Sequence, residues 1–271
     1  MRKIPAKILL YILVAIVVVL YAYPLLFTLS TALKTQDEFR KDVTGFFTSF
    51  HLDNFPYVWT KAKMGNYFWN SVLYVTVCTG VSMLFAIFVS YPISRNYVKF
   101  AGLITTAFII GMFLPDAAIP KWKMFFNMGL YNTRIGYMMT MIGTGGVGFL
   151  MYVAYIKSIP KDLDEAAMID GCEYFHFIFR ILVPLMKPVL VSMGLLGAIG
   201  VWNEAINAII YMSNDDYYPI TRGLYVFKGQ YGNNWPELSA ALCVVAFPMI
   251  IVYVIFQKHI VDGIVAGGIK M

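Results

Sequence analysis

Charge is scarce in this sequence. Only 13% of its 271 residues are Asp, Glu, Lys or Arg, while 59% are hydrophobic and the mean hydropathy is +0.68. A water-soluble domain of this length could hide only part of so much apolar surface, so the composition excludes an ordinary soluble protein. Histidine is limited to His51, His176 and His259, with no zincin or triad arrangement. The three cysteines, Cys78, Cys172 and Cys243, are widely spaced and lack any C-x-x-C or Cys/His pattern, which excludes a zinc site and a disulfide framework and leaves reduced thiols filling apolar space. There is no phosphate-binding G-x-x-x-x-G-K-[ST] loop. The run Gly143-Thr-Gly-Gly-Val-Gly148 lacks the lysine that must reach the phosphates, and it reads as a close-packing helix face. The excess of 21 basic over 15 acidic residues forms no run or stripe, so nucleic acid is not an expected partner. Fixed-period repeats, low-complexity tracts and a separate soluble domain are missing too. Residues 1–271 therefore read as one membrane domain.

What is present is a series of long apolar segments. A bilayer accepts runs of roughly 20 apolar residues as helices. Candidates are Ile8–Leu33, Asn70–Ser94, Leu103–Ile119, Gly136–Ile156, Leu182–Met212 and Leu238–Gln257, which predicts an all-α, polytopic protein with six spans. The first is too long for a signal-peptide core, so it is expected to be retained. An even number of spans puts both termini on one side. Total basic charge barely chooses between sides, with 11 of 21 Lys and Arg inside if the N-terminus is cytoplasmic, so the cluster Arg2, Lys3 and Lys7 carries the expectation of cytoplasmic termini. The outer loops are then Lys34–Trp69, Pro120–Ile135 and Ser213–Glu237. Their Trp59, Tyr67, Trp69, Tyr131, Tyr217, Tyr218 and Trp235 suit an interfacial belt, or alternatively the reception of a partner. Pro24, Pro92, Pro115 and Pro248 are expected to kink their spans.

Between the fourth and fifth spans, residues 158–184 read differently, as helix, turn, helix. Pro160 suits a first helical turn, and Asp162, Asp164 and Glu165 lie where a helix N-terminus favours negative charge. Gly171 is placed to end that helix in a left-handed conformation. A second short helix, Glu173–Arg180, leads to Pro184 at the start of the fifth span. Small Ala166 and Ala167 would let another backbone approach. The result is a compact knob, acidic over Asp162–Asp170, unlike the basic interfacial helices that lie on membranes.

This segment resembles the EAA loop of ABC importer permeases, with Glu165, Ala166, Ala167, Gly171, Ile181 and Pro184 at the family's spacings and Val183 where the family prefers Leu. Asn54-Phe55, Asn70-Ser71, Gly129-Leu-Tyr-Asn-Thr133, Trp202-Asn203-Glu204 and the tail Gly263–Lys270 resemble, in the same order, carbohydrate-uptake permeases, specifically the second, maltose-type subunit. The resemblance implies a type I ABC importer permease fold in a bacterial cytoplasmic membrane. It implies coupling to an ATPase subunit through Asp164, Glu165, Ala166, Ala167, Ile169, Asp170 and Gly171 of a loop at about 158–181. Implied partners are a second permease, two ATP-binding subunits that hold ATP and Mg, and an extracytoplasmic sugar-binding protein. No cofactor is expected in this chain itself, and it is not expected to be an enzyme.

Asn203 and Glu204 are candidates for the translocation path, since a carboxylate within a span is costly and by default functional, though a structural pairing is equally open. An ion-coupled secondary transporter using Glu204 is the alternative. Against it stand the single acid clearly inside a span and the lack of matching interrupted helices in two halves. A membrane-embedded enzyme would need clustered His, Asp or Glu at membrane depth, and none is visible.

Overall fold

The computed structural model describes residues 4–143, 146–230 and 234–268, with side chains over 7–143, 146–225 and 234–257. Among these residues the regular elements are all helical. In chain order they are α1 (Ile4–Ala32), α2 (Gln36–Lys41), α3 (Asn54–Thr60), α4 (Met64–Ser94), α5 (Ala101–Phe113), α6 (Ala118–Asn127), α7 (Arg134–Met141) and α8 (Val147–Ser158). There follow α9 (Asp162–Ile169), α10 (Tyr174–Phe177), a π-helical turn Ile178–Leu182, α11 (Val183–Leu185), α12 (Lys187–Asn203), α13 (Ile206–Tyr211), a 3₁₀ turn Asp215–Tyr217, α14 (Ile220–Gln230) and α15 (Trp235–Gly268).

Among the described residues three helices are long and apolar enough to cross a membrane unbroken, over Lys7–Ala32, Met64–Ser94 and Trp235–Gln257. Pro24, Pro92 and Pro248 lie inside these helices, which continue past them. The other expected spans are interrupted. The third ends at Phe113, because Leu114 precedes Pro115 and takes extended backbone, and the axis then turns by 105° into α6. The fourth is broken between α7 and α8, so Gly143 and Gly146 do not lie on a helix face, and a Cβ at Gly146 or Gly148 would meet nothing within 4 Å. Close packing is therefore not their role. Glycine costs about 1 kcal/mol per position in a helix interior, and α7 ends at Met141, short of Gly143. Thr144 and Gly145 are outside the described residues. The fifth bends by 82° between Tyr174–Leu185 and Lys187–Asn203, and is broken again before α13.

By internal contacts the chain divides into two compact units, Met1–Phe68 with Ile220–Ile250, and Trp69–Pro219 with Ile251–Met271. In the first unit α1 is exposed over Lys7–Tyr21, and burial begins only at Ser30. There the backbone carbonyls at the helix end need partners. Asn54 Nδ2 donates to the carbonyls of Ala32 (2.8 Å) and Lys34 (2.9 Å), and the His51 N–H donates to Leu33 (2.9 Å). The Lys34 ammonium, 1% exposed, is held by the carbonyls of Asp42 (2.9 Å) and Gly45 (2.6 Å). Thr35 caps α2, whose Glu38 carboxylate accepts the Thr48 N–H and hydroxyl; these bonds hold its pKa below the ordinary value. Asn54 is thus the clasp that returns the first loop to α1.

Two hydrophobic clusters stand out among the described residues of the second unit. Ala86, Ile87 and Tyr91 of α4 pack with Tyr152 and Ile156 of α8 and with Leu182, Met186 and Val189 of the fifth span. Ile93, Ala101, Phe149 and Val153 form the other, with the rings of Phe108 and Phe149 stacked at 4.1 Å.

Candidate functional site

Helix α9 carries the knob residues, and its first turn holds Asp162, Asp164 and Glu165, which complement the partial positive charge of the helix N-terminus. Its C-terminus is stopped by local geometry. Gly171 adopts φ +69°, its N–H donates to the Met168 carbonyl (3.1 Å), and the Cys172 N–H reaches back to the Ala167 carbonyl (2.9 Å). This is a Schellman stop, the left-handed ending expected of a glycine there. The second helix of the knob is shorter in α form than the expected Glu173–Arg180: α10 ends at Phe177 and passes into the π turn.

The seven candidate residues fall into two sets. Glu165, Ala166, Ile169, Asp170 and Gly171 are exposed, and Ile169 is 86% exposed beside Met168 at 62%. Asp164 and Ala167, three residues apart on one face, are buried. Ala167 enters the core with Phe177 and Ile178. Asp164 meets a residue that sequence reasoning missed: its carboxylate pairs with Arg95, just beyond the end of α4, with Nε to Oδ2 at 2.5 Å and the second terminal nitrogen to Oδ1 at 3.3 Å. The first terminal nitrogen of Arg95 donates to the Ile159 carbonyl at 3.0 Å. A hint was available only in part, since Arg95 closes an apolar run where a flanking charge is ordinary.

The opposite end of the same unit is a hydrogen-bonded platform. Asn70, 4% exposed, donates to the carbonyls of Asp216 (2.8 Å) and Tyr218 (3.1 Å) and accepts from Arg134 (3.0 Å), whose guanidinium lies over the Tyr217 ring. Gly129 (φ +70°) ends α6 in a second Schellman stop, with the Leu130 N–H returning to the Phe125 carbonyl (2.9 Å). Asn132 Oδ1 accepts the N–H groups of Ser213 and Asn214, both at 2.8 Å, and Thr133 caps α7. Tyr131 is bonded to Ser213 through its hydroxyl at 2.6 Å. Several of the loop aromatics are therefore parts of this network.

Between these ends α4, α8 and α12 border a half-open cavity of about 280 Å³, lined by Thr79, Ser82, Met83, Gly143, Tyr152 and Gly197 among others. Gly143 at the helix break is one of its walls, which fits the rule that irregular backbone within a membrane borders a cavity. Val201 is also on that wall; Asn203 and Glu204 are not. Asn203 Nδ2 turns back to the Ile199 carbonyl (2.9 Å), and Glu204 Oε1 accepts the Asn207 N–H (2.8 Å) at the start of α13. Among the described residues no group of three or more His, Cys, Asp and Glu could hold a metal.

Residues 2–265 match the family model described as binding-protein-dependent transport system inner membrane component. The chain is 31% identical over 253 residues, 92% of its length and 84% of the relative's, to the probable ABC transporter permease protein YurM of Bacillus subtilis. It is 30% identical over 96% of its length and 93% of the relative's to the sulfoquinovosyl glycerol transport system permease protein SmoH of Agrobacterium fabrum. Among solved structures, a chain of a bacterial ABC transporter involved in the import of the acidic polysaccharide alginate matches with TM-score 0.85 at 19% identity, covering 95% of this chain and 98% of that one. At that identity the likeness establishes the fold, that of type I ABC importer permeases. The chain belongs to the family of binding-protein-dependent transport system inner membrane components, the permeases of ABC importers.

Proposed function

We propose that this chain is one of two membrane-spanning permeases of an ATP-driven sugar importer, working by alternating access. The observation that carries the reading is the knob. A short helix stopped at Gly171 presents Glu165, Ala166, Met168, Ile169 and Asp170 to solvent while its other face is sewn into the core. Exposed Ile169 and Met168 beside two carboxylates suit a cleft on a second protein, with apolar contact for affinity and charge for register. That protein is an ATP-binding subunit, which also holds ATP and Mg. The sugar-transport relative SmoH and the alginate-importing structural neighbour support a carbohydrate cargo, delivered by an extracytoplasmic binding protein to the platform built on Asn70, Asn132 and Arg134. The cavity walled by α4, α8 and α12 forms this chain's half of the path, with Asn203 and Glu204 at the break just beyond Val201. Closure of two ATPase subunits drives the knobs and switches the helices between inward- and outward-facing arrangements. Both termini are cytoplasmic in this arrangement.

The test is reconstitution of this chain with a second permease and two ATPase copies in vesicles, with the sugar-loaded binding protein added. Sugar uptake is expected to require ATP and to continue when an ionophore collapses the proton gradient. Uptake that stops with the gradient and ignores ATP would instead assign an ion-coupled transporter.

A further inference from the structure

The Arg95–Asp164 pair is an unusual investment for a loop. Arg95 and Asp164 have side chains 1% and 2% exposed, and taking two ions out of water carries a desolvation cost that their attraction and hydrogen bonds must offset. Here the two terminal nitrogens of the guanidinium donate to Asp164 Oδ1 and to the carbonyl of Ile159, on the segment that leads from α8 into the knob, while Nε and Oδ2 meet as an ion pair without a hydrogen bond of their own. A hydrophobic pair of similar volume would fill the same space without the desolvation cost, so what the ions supply is a fixed geometry. Around them Tyr91, one turn back on α4, sets its ring against Phe177 at 5.5 Å and Tyr174 at 6.1 Å, so both helices of the knob are fastened to the same end of α4.

The other fact is where α4 goes. Cys78, Thr79, Ser82, Met83 and Ala86 of this helix line the cavity. Ala86 and Arg95 are nine positions apart, about 13 Å at 1.5 Å per residue. Helix α4 is unbroken from Ala86 to Ser94, running through Pro92, and Arg95 follows it directly, so this stretch moves with the cavity-lining turns. Displacing the knob therefore carries the cavity wall with it, provided the knob is locked to α4.

We infer that Arg95 is a positioning residue for transport: its buried ion pair with Asp164 is the link through which movement of the knob reaches the cavity-lining helix α4. Asp164 on this account acts inwardly, while Glu165, Ile169 and Asp170 face the ATPase. The inference rests on the proposed coupling role of the knob.

The experiment uses the complete reconstituted importer and reads sugar molecules taken up per ATP hydrolysed, with assembly checked by subunit stoichiometry. The variants are Arg95→Met, Asp164→Asn, the milder Arg95→Lys, and the reversed pair Arg95→Asp with Asp164→Arg. Assembled complexes of Arg95→Met and Asp164→Asn are expected to keep binding-protein-stimulated ATP hydrolysis within about twofold of the parent while uptake per ATP falls at least tenfold, and the reversed pair is expected to regain a substantial part of that ratio. An unchanged ratio in assembled single variants would overturn the inference. So would uptake and hydrolysis falling in parallel with lost assembly in Asp164→Asn and Arg95→Lys alike, since that describes a folding anchor alone. A photo-crosslinker at Ile169 in the parent complex separates this failure from failure of the underlying reading. Without a crosslink to the ATPase subunit the knob is not the contact, whatever Arg95 does.

Discussion

At the residue scale, asparagines and a glutamate do work that charge counts do not reveal. Asn70 uses both donor and acceptor sides to join α4, the Asp216–Tyr218 turn and Arg134. Replacing it by Ala leaves two carbonyls and a guanidinium short of partners in a nearly buried place. An unsatisfied buried polar group costs about 1–3 kcal/mol, so Asn70→Ala should lower the thermal unfolding midpoint in detergent and make the 213–219 loop easier to cleave by protease. An unchanged midpoint and cleavage rate would mean that water replaces the side chain at no loss. Glu204 is a second case. Its oxygen accepts the Asn207 N–H where α13 begins, so its amide analogue retains the acceptor. Glu204→Gln is expected to keep most uptake, whereas Glu204→Leu, which removes that acceptor, should lose it. Loss in both variants would assign the function to the negative charge itself.

At the element scale the knob is a helix defined by its ending. Gly171 has φ +69°, and a Cβ there would meet nothing within 4 Å, so substitution acts through backbone strain alone. A β-branched residue in that region costs on the order of 1–3 kcal/mol, enough to reorient a small knob and small against the cost of pulling a spanning helix out of lipid. Gly171→Val should therefore insert and assemble but uncouple hydrolysis from uptake, with Gly171→Asn much milder because Asn tolerates left-handed backbone. The neighbouring Cys172→Ser should be nearly silent, since it is the Cys172 backbone N–H that completes the stop. Binding-protein-stimulated ATPase and uptake, measured together, decide this. Normal uptake by Gly171→Val would show that the knob geometry is not needed.

For the whole molecule the open matter is orientation, since basic charge divides almost evenly and Arg2 and Lys3 are outside the described residues. The proposed arrangement puts the Lys34–Trp69 loop outside and the knob inside. A cysteine placed at Thr44, in an otherwise cysteine-free chain, should react with an impermeant reagent in intact cells. One at Ile169 should react only after the membrane is opened; both positions are exposed, so access to the reagent is set by the membrane. The opposite pattern would invert the topology and remove the knob from the ATPase side.

Sequence alone determined that this chain lives among helices in lipid, because apolar composition and segment length are properties of the chain itself. It also determined the knob's position and its ending at Gly171, because caps and stops are hydrogen bonds between residues a few positions apart. Tertiary structure decided the rest. Whether an apolar run is one helix or two depends on what borders it, and Ile142 and Gly143 stay irregular beside a cavity that no local pattern reveals. Asp164 looked like one more open charge of an acidic helix. It became a buried anchor because Arg95, 69 positions away, is brought against it by the packing of α4, and an ion pair is a fact of distance in space.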